Sequence, residues 1–262
     1  MELLNKVIEA VKECKQIVTA PFSVSEKGSL SNIVTSADKA VEEFLYRRLL
    51  EILPEAGFLG EEGDACQGKR YLFVVDPIDG TANFARGTGC SAISVGLRKD
   101  DAPFLGVVYN PFTEELYYAQ TGRGAYKNGK RIQVSGRDFA HGLYYTALST
   151  YRKEYSGLCM DILAQVFAQC DDFRREGSAA LELCRLAAGC GELYFEMRLF
   201  PWDVCAGEVI LKEAGGCFAA LYAQGLKQDQ PFPVVAANSP ENMEKLLAIV
   251  TRALPALQEG YF

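Results

Sequence analysis

The hydrophobic pattern of this 262-residue chain changes near residue 58, and that change restricts the possible folds more than any other feature of the sequence. Before it, apolar residues recur at helical spacing over residues 3–18 and 41–52, which predicts two amphipathic helices. Thr35 and Asp38 have the spacing of a capping box at the start of the second helix. Beyond residue 58, short apolar runs separated by Gly, Pro and Asn predict a sheet.

Strands and helices alternate in the second half of the chain. In the sheet region, strands are predicted at Tyr71–Asp76, Cys90–Leu97, Phe104–Asn110 and Glu115–Gln120, with a hairpin turn at Asn128–Gly129. After residue 136, strands are predicted at Leu143–Leu148, Leu193–Glu196 and near Cys217 and Val234, and helices at Leu158–Ala168, Ser178–Gly189, Trp202–Ala214 and after Pro240. We therefore expect an α/β (α+β) protein with an N-terminal part (residues 1–136) and a C-terminal part (residues 137–262). The two parts should share a broad interface, and the functional site is expected in the cleft between them.

Charge and composition exclude several classes of partner. The net charge is −7, the isoelectric point is near 5.0 and no run of Lys or Arg occurs, so a nucleic-acid-binding surface is disfavoured. No apolar run approaches the roughly 20 residues of a membrane span, and the N-terminus mixes charged with apolar residues. We expect a cytoplasmic protein without a membrane partner.

The cysteine and histidine content excludes further chemistry. The nine cysteines are scattered and form no C-x-x-C pair, so we expect reduced and mostly buried thiols rather than disulfides or a zinc site. With one histidine, His141 in a predicted loop, an H-E-x-x-H zinc site is impossible and a Ser-His-Asp triad would have to use that residue. Neither a G-x-x-x-x-G-K-[ST] loop nor a dinucleotide-binding turn is present. The chemistry of this chain is therefore expected to depend on carboxylates.

The densest chemical signal is the segment Asp76–Thr81 (DPIDGT), directly after the apolar run Tyr71–Val75. Pro77 fixes its own φ angle and Gly80 permits a sharp turn, so both carboxylates and the Ile78 carbonyl can converge at the end of the strand. Oxygen ligands of this kind suit Mg²⁺ or Mn²⁺. Because Asp, Pro and Gly are also the residues that ordinary turns favour, the segment taken alone is equally consistent with a surface turn.

Two further acidic sites strengthen the metal hypothesis. Glu61 and Glu62 follow the short apolar run Phe58–Gly60, and Asp203 follows Trp202 at a predicted helix start. Taken singly, Glu61 and Glu62 are also typical of a solvated loop, and Asp203 is also typical of a helix N-cap. Together with Asp76–Thr81 they predict an acidic cluster that holds two ions, an arrangement that stabilises both the attacking and the leaving oxygen in phosphoryl transfer.

At this point the sequence resembles the inositol monophosphatase family of magnesium-dependent, lithium-sensitive phosphomonoesterases. The motifs that carry the resemblance stand in the family's order: Gly60–Glu62 (GEE), Asp76–Phe84 (DPIDGTANF), Gly177–Ala180 (GSAA) and Trp202–Asp203. It spans most of the chain, from Asn32–Asp38 to Glu213–Gly216. The resemblance implies a layered α/β/α/β/α sandwich of the inositol monophosphatase and fructose-1,6-bisphosphatase type, assembled as a homodimer.

The resemblance also implies ligands and catalytic residues. Glu61, Asp76 and the Ile78 carbonyl would hold one Mg²⁺, and Asp76, Asp79 and Asp203 a second, with a third, weaker ion near Glu61. Mn²⁺ is the alternative metal. The implied catalytic set is Glu61, Thr81 and Asp38, in which Thr81 and Asp38 orient a metal-activated water for in-line attack on phosphorus without a phosphoenzyme.

The implied substrate site is formed by residues from both parts of the chain. Backbone N–H groups of Gly80 and Thr81 would receive phosphate oxygens. The polyol side would be lined by Gly177, Ser178, Ala179 and Glu196, and Asp203 would meet the ester oxygen of the leaving group through a water. The substrate is therefore expected to be a small phosphorylated polyol or sugar.

Two positions depart from the family pattern. Asn32 stands where the family often has an acid, which predicts weaker binding of the third ion, although the nearby Lys27 is kept. Glu176, directly before Gly177, adds a negative charge that would disfavour multiply phosphorylated substrates if it faces the pocket.

Several functions remain open at this point. We favour an inositol-1-monophosphatase, because Asp79–Phe84 resembles the inositol phosphatase and fructose bisphosphatase branches more closely than the nucleotide phosphatase branch. The alternatives within the fold are a fructose-1,6-bisphosphatase and a phosphatase of 3′-phosphoadenosine 5′-phosphate or NADP. Two enzyme classes outside this fold are also considered. An aspartyl-phosphate phosphatase would need D-x-D spacing, whereas this chain has D-x-x-D. A glycosidase that uses two carboxylates would be active without added metal. A non-catalytic sugar-phosphate-binding regulatory protein is the alternative from a different class.

Overall fold

We describe a computed structural model covering residues 2–29, 32–63, 65–66, 68, 70–221 and 231–254. Its eight helices in these ranges are α1 (Glu2–Glu13), α2 (Lys15–Val18), α3 (Ser36–Ile52), α4 (Thr81–Ala85), α5 (Ser156–Phe167), α6 (Ala179–Ala187), α7 (Pro201–Glu213) and α8 (Pro240–Ala253). A single 3₁₀ turn, Lys153–Tyr155, leads into α5.

The larger sheet has eight strands in the order β10-β9-β8-β7-β6-β5-β3-β4. These strands are β3 (Ala56–Gly60), β4 (Ala65–Cys66), β5 (Tyr71–Asp79), β6 (Ala92–Lys99), β7 (Ala102–Asn110), β8 (Glu115–Gln120), β9 (Ala125–Lys127) and β10 (Lys130–Ile132). β3 and β5 are parallel, and the other neighbouring pairs are antiparallel. The carboxyl ends of β3 and β5 therefore lie at the same edge of the sheet.

The second sheet has five strands in the order β12-β11-β13-β15-β14. They are β11 (Leu143–Thr146), β12 (Asp172–Arg174), β13 (Leu193–Leu199), β14 (Cys217–Ala220) and β15 (Phe232–Ala237). A separate hairpin pairs β1 (Val24–Ser29) with β2 (Asn32–Thr35). The two large sheets lie on either side of residue 136, and the division into two parts at that residue stays a prediction.

Helices and sheets are stacked in five layers. α6 and α7 contact both the larger sheet and the second sheet, so they form the middle layer. α1 and α3 cover the outer face of the larger sheet, and α5 and α8 cover the outer face of the second. Separate apolar cores fill the spaces between these layers. The α/β/α/β/α sandwich expected from the sequence is confirmed.

The local predictions differ from the structure mainly at the N-terminus. The single helix expected over residues 3–18 is divided at Cys14 into α1 and α2, because Ile17 and Val18 both donate their N–H groups to the Cys14 carbonyl. β1, β2, β4 and β12 lacked a recognisable apolar alternation and were not predicted. All nine cysteines are free, as expected; four are buried, four half-buried and Cys190 is exposed.

Within the described residues, no helix combines the length and the apolar character required to cross a membrane.

Candidate active site

A bulge in β5 brings Asp76 and Asp79 to the same side of the larger sheet. Asp76 pairs with Ser94 and Asp79 with Ala92, so three steps along β5 match two along β6. Side chains in a regular strand alternate between the two faces of the sheet, so residues three apart would point to opposite faces. The bulge adds one residue to β5 and thereby brings both carboxylates to the same face. Pro77 is compatible with the irregular position because it does not need a ladder N–H.

Asp203 completes a cluster with these two acids. One carboxylate oxygen from each of Asp76, Asp79 and Asp203 lies within 4.8 Å of the other two. Asp203 is the third residue of α7, and its Oδ2 accepts the N–H of Phe200 at 2.6 Å, so it also caps the helix. The sequence prediction that places these three acids together is confirmed in geometry.

Burial and mutual repulsion raise the pKa values of this cluster. Burial raises the pKa of Asp79 to about 6. Burial, together with the negative charges of neighbouring acids, holds the pKa values of Asp76 and Asp203 well above the usual range. Such a site fits a divalent cation, because two buried carboxylates and the half-buried Asp203 converge and a cation would neutralise their charge. The cluster has no sulfur or imidazole donor, which favours Mg²⁺ or Mn²⁺ over zinc or copper.

Glu61 lies next to the cluster rather than within it. It follows β3, and its N–H donates to the Val75 carbonyl at 3.2 Å, directly before Asp76 on the neighbouring strand. The charge of Glu61 contributes to the raised pKa of Asp76, so the two carboxyl groups are close. Lys27 and Asn32, on which the argument about a third ion depends, have side chains outside the part of the chain that the structure describes.

A buried acid on α3 holds the turn that carries Glu61. Oε2 of Glu42 accepts the N–H of Glu62 at 2.8 Å, and Glu42 is 1% exposed. Glu42 lies one helical turn after Asp38, so α3 presents two buried acids on one face toward the site. Glu42 was not predicted as a site residue. An acid on the helix face that also carries the apolar residues Val41 and Leu45 could have indicated it.

Thr81 and Asp38 are hydrogen-bonded, as the sequence predicted. Oγ1 of Thr81 lies 3.2 Å from Oδ1 of Asp38 and 3.1 Å from the Ile78 carbonyl. The other Asp38 oxygen accepts the N–H of Thr35 at 2.8 Å, which completes the predicted capping box of α3. Burial raises the pKa of Asp38, opposed by hydrogen bonds from Thr35 and Thr81. The capping box therefore fixes the carboxylate that faces Thr81.

Gly80 forms the turn between β5 and α4. Its φ angle is +85°, in the left-handed region that favours glycine, and an added Cβ would lie 2.9 Å from the Gly177 carbonyl. α4 begins at the next residue, Thr81; the N–H groups of Asn83 and Phe84 donate to the Gly80 carbonyl, whereas those of Thr81 and Ala82 precede the first helical hydrogen bond. The turn thereby brings Asp79 and Thr81 against the 177–178 segment.

The segment Gly177–Ala179 contacts the cluster through Asp79. Ser178 donates its hydroxyl to Oδ2 of Asp79, and the Ala180 N–H donates to the same oxygen at 2.7 Å. Ser178 is also the N-cap of α6. Because one Asp79 oxygen is bound in this way, the segment fixes the orientation of the carboxylate.

Two further side chains form hydrogen bonds with the backbone of this segment. The buried carboxylate of Glu182 accepts the N–H groups of Glu176 at 2.6 Å and Gly177 at 3.0 Å. The Asn83 amide donates to the carbonyl oxygens of Cys90 and Glu176, at 2.8 and 2.7 Å. Neither Glu182 nor Asn83 was predicted as a site residue, because their roles depend on contacts between distant parts of the chain.

Glu196 lies half-buried on β13. Its Oε2 accepts the hydroxyl of Tyr194 at 3.0 Å, and burial raises its pKa to about 7, with Asp79 adding to the shift. The alternative of an exposed acid at a strand end is therefore wrong. Tyr151, also not predicted, is 57% exposed, but its hydroxyl lies beside the cluster: partial removal from water and the negative charges of Glu61 and Asp203 raise the pKa of that hydroxyl to about 12.

The hypothesis that Glu176 places a free negative charge in the pocket is wrong. Its carboxylate accepts Nε of Arg185 at 2.7 Å, and the Arg185 guanidinium also lies 3.6 Å from Glu115. The charge is neutralised by a helix-α6 arginine nine residues further along the chain. His141 is exposed and pairs with Asp138, as its loop position suggested.

Comparison with known proteins agrees with this geometry. The model of the inositol monophosphatase family matches residues 1–254. Nus factor SuhB of Vibrio cholerae is 37% identical over 246 residues, covering 93% of this chain and 89% of the relative. The fructose-1,6-bisphosphatase/inositol-1-monophosphatase of Aquifex aeolicus is 37% identical over 231 residues, covering 83% and 87%.

Solved structures are similar along the whole chain. The extragenic suppressor protein SuhB of Bartonella henselae superposes with a TM-score of 0.86 at 29% identity, covering 96% of this chain and 99% of that one. A staphylococcal IMPase-II bound to inositol monophosphate superposes with a TM-score of 0.81 at 29% identity, covering 100% of both chains. The family model, the relatives and the acidic cluster agree, and the chain belongs to the inositol monophosphatase family.

Proposed function

We propose that this protein is a Mg²⁺-dependent phosphomonoesterase that hydrolyses inositol monophosphate by in-line attack of water. The observation that carries the proposal is the convergence of Asp76, Asp79 and Asp203 within 4.8 Å, beside the Thr81–Asp38 hydrogen bond. The family membership supports phosphatase chemistry. The names of individual relatives differ, so the substrate is inferred from the site and from the Asp79–Phe84 motif.

The proposed metal ligands are those that the family resemblance implies, and the clustering of three of the acids supports them. Glu61, Asp76 and the Ile78 carbonyl would hold one ion, and Asp76, Asp79 and Asp203 a second, with a weaker third ion near Glu61. When bound, Mg²⁺ or Mn²⁺ supplies positive charge to the phosphate oxygens and increases the acidity of water.

Thr81 and Asp38 would orient the attacking water. A hydroxyl has one proton, so when Thr81 donates its hydrogen bond to Asp38, the lone pairs of Oγ1 can accept a hydrogen bond from the attacking water. Because Asp38 is fixed by Thr35, the direction of the Thr81 hydroxyl is set before the substrate arrives. Fixed orientation of this kind lowers the entropy cost of the reaction.

The remaining residues would position the substrate. The N–H groups of Gly80 and Thr81 would bind phosphate oxygens at the start of α4. Gly177, Ser178 and Ala179 would line the polyol side, Glu196 would accept hydrogen bonds from hydroxyl groups, and Asp203 would contact the leaving oxygen through a water. A Glu196 pKa near 7 allows it to accept such bonds above that pH.

Phosphate release from a substrate panel tests the proposal. Inositol 1-phosphate, fructose 1,6-bisphosphate, 3′-phosphoadenosine 5′-phosphate and NADP are assayed with Mg²⁺, with Mn²⁺, with EDTA, and with Li⁺ added. Metal-dependent turnover of inositol 1-phosphate is expected. Preference for another substrate would change the specificity and retain the chemistry, whereas turnover in EDTA or none at all would contradict the phosphatase assignment.

The proposal includes a homodimer. Met160, Phe167 and Phe173, on α5 and the edge strand β12, are 50%, 47% and 37% exposed, and Phe167 contacts Phe173. Large apolar side chains grouped at one surface are typical of interaction sites. Light scattering of the purified protein should give the mass of two chains.

A further inference from the structure

The carboxyl ends of three neighbouring strands, β12, β11 and β13, lie at one edge of the second sheet, because these strands are parallel. The segment that follows β12 contains Gly177 and Ser178. Thr146, the last residue of β11, pairs with Phe195, which directly precedes Glu196 on β13. Ligands of α/β sheets bind outside the carboxyl ends of parallel strands. The segment that follows β11, residues 147–152, is therefore a candidate for contact with the substrate.

A tight turn fixes the end of this segment. The Arg152 N–H donates to the Ser149 carbonyl at 3.0 Å, so Thr150 and Tyr151 are the two central residues of the turn. Ser149 is 7% exposed and has a φ angle of +51°, in the left-handed region that residues with a side chain rarely adopt. Such a backbone conformation persists where the surrounding structure fixes it, and it is common at functional sites. The turn therefore holds Tyr151 in a defined position at this edge of the sheet.

A series of contacts links the turn to the residues around the acids. Oγ1 of Thr150 accepts Nη2 of Arg175 at 2.9 Å. Nη1 of Arg175 lies 3.8 Å from the position of a Cβ on Gly177. The Gly177 carbonyl in turn lies 2.9 Å from the position of a Cβ on Gly80, the residue that follows Asp79. The turn is therefore anchored beside the segment that contacts the acidic cluster.

The hydroxyl of Tyr151 points into the site, although 57% of the residue is exposed. The negative charges that act on this hydroxyl are those of Glu61, Asp203, Asp79 and Asp76. Partial removal from water and these charges raise its pKa to about 12, so it keeps its proton at neutral pH and is a hydrogen-bond donor. In the described ranges of the chain, however, it donates to none of these carboxylates and to no other group.

A donor that lies beside four carboxylates and bonds to none of them is separated from them by a gap. The same acids are the proposed metal ligands, so the substrate phosphate is expected on this side of the cluster. We propose that Tyr151 is a further substrate-binding residue, which donates its hydroxyl hydrogen bond to an oxygen of the substrate phosphate. The inference rests on the proposed function and adds to it a phosphate contact from the C-terminal part of the chain.

The contact should act on binding rather than on the chemical step. The phosphate oxygens are charged in the bound substrate as well as in the transition state, so the hydrogen bond forms in both, and its loss raises KM and leaves kcat nearly unchanged. Inorganic phosphate, the product, carries the same oxygens and should lose affinity by a similar factor. Free myo-inositol has no phosphate, and its binding should not depend on Tyr151.

Tyr151→Phe tests the proposal because it removes the hydroxyl and keeps the ring. With Mg²⁺ and inositol 1-phosphate, KM should rise about ten-fold and kcat should stay within about two-fold, as expected for one hydrogen bond to a charged group. The dissociation constant of inorganic phosphate, measured by calorimetric titration of the Mg²⁺-loaded protein, should also rise about ten-fold. Inhibition by myo-inositol should be the same as in the wild type.

Tyr126→Phe is the control for removing a tyrosine hydroxyl elsewhere. Tyr126 lies on β9, four strands away from β5 in the larger sheet, and its hydroxyl contacts the Arg123 carbonyl. This variant should leave KM and phosphate binding unchanged. In Tyr151→Phe, the melting temperature and the Mg²⁺ requirement should equal those of the wild type, because the hydroxyl holds no other described group in place.

Three results would overturn the role of Tyr151. Unchanged phosphate binding in Tyr151→Phe would exclude the contact. Weaker inhibition by myo-inositol with normal phosphate binding would place the hydroxyl against the polyol instead. A lower melting temperature with equal losses for phosphate and myo-inositol would indicate a structural role.

The two readouts also separate this inference from the proposed function. If the wild type hydrolyses inositol 1-phosphate and both proteins bind inorganic phosphate equally, the role of Tyr151 is wrong and the phosphatase assignment stands. If the wild type hydrolyses no compound of the substrate panel but binds inorganic phosphate ten-fold more tightly than Tyr151→Phe, the phosphatase assignment is wrong and the phosphate contact stands.

Discussion

The carboxylate of Glu42 occupies the space in which a side chain on Gly60 would begin: a Cβ placed on Gly60 would lie 2.4 Å from the Glu42 carboxyl carbon. The same carboxylate accepts the N–H of Glu62 at 2.8 Å. α3 and the end of β3 are therefore in direct contact at the point where Glu61 emerges. The close approach requires glycine at position 60, and it determines where the predicted metal ligand Glu61 stands.

Gly60→Ala should weaken metal binding. The new methyl group must displace Glu42, which releases the Glu62 N–H and shifts Glu61, at a cost of about 1–3 kcal/mol in folding stability. We expect a lower melting temperature and a Mg²⁺ requirement for activity raised several-fold, measured by thermal unfolding and by Mg²⁺ titration of turnover. Gly157→Ala is the matched control, because nothing lies within 4 Å of a Cβ on that helical residue. An unchanged Mg²⁺ requirement in Gly60→Ala would show that Glu42 does not position Glu61.

Asp79→Asn should nearly abolish Mg²⁺-dependent hydrolysis and retain the fold. The amide oxygen can still accept hydrogen bonds from Ser178 and Ala180, which now reach Oδ2 of Asp79. The lost negative charge, in contrast, cannot be replaced as a metal ligand, so turnover should fall by roughly 10² to 10³ or more. Circular dichroism checks the fold and phosphate release checks activity. Near-normal turnover would contradict the two-metal assignment.

Thr81→Ala should lower kcat more than it changes KM. The hydroxyl between Asp38 and the Ile78 carbonyl is lost, so the attacking water is no longer oriented, whereas the backbone N–H groups proposed to bind phosphate remain. Thr81→Ser keeps the hydroxyl and should retain most of the rate. Steady-state kinetics with inositol 1-phosphate distinguish the two variants. Equal activity of both would remove Thr81 from the catalytic set.

Much of the site could be predicted from the sequence where the interacting residues are close together along the chain. Asp76 and Asp79 are three residues apart, and Pro77 and Gly80 indicate the irregular backbone that lets both point the same way. Thr35 and Asp38 follow the spacing of a capping box. In each case, the interacting groups lie within one turn or one strand end, and the chemistry is visible in the sequence.

The remaining site residues depend on contacts between distant segments. Ser178 reaches Asp79 across 99 positions, and Glu62 reaches Glu42 across 20. The pairing of Glu176 with Arg185 neutralises the charge expected beside Gly177, because the sequence gives the sign of each residue but not its partner. Sequence patterns identify the acids of a site, whereas the layered packing decides which of them stay uncompensated.

The metal-free protein should lose stability as the pH rises. The pKa of Asp79 is raised from 3.8 to about 6, so its carboxyl group holds a proton more tightly in the folded than in the unfolded state. This contribution is fully present below about pH 4 and is lost as the pH rises through about 6. Asp76 and Asp203, whose pKa values burial also raises, act in the same direction.

Bound metal should therefore stabilise the protein more at pH 7.5 than at pH 5. At the lower pH, protons compete with Mg²⁺ for the carboxylates. Thermal unfolding with EDTA or with Mg²⁺ at both pH values measures the effect, and we expect a metal-dependent gain in melting temperature of roughly 3 to 8 °C at pH 7.5. Asp79→Asn should make the metal-free protein more stable at pH 7.5 and reduce the gain. An equal gain at both pH values would contradict the link between these acids and the metal.

Glu182 should control substrate binding through the backbone of the pocket segment. Its buried carboxyl group accepts the N–H groups of Glu176 and Gly177, and burial holds its pKa well above the usual range. Glu182→Gln keeps an acceptor oxygen of the same reach and should preserve KM. Glu182→Leu leaves two N–H groups without a partner, at a cost of about 1–3 kcal/mol each, so the segment should shift and KM for inositol 1-phosphate should rise several-fold. Steady-state kinetics give KM, and the melting temperature separates this local effect from general unfolding. If Glu182→Gln raised KM as much as Glu182→Leu, the charge of Glu182 rather than its hydrogen bonds would be what the pocket requires.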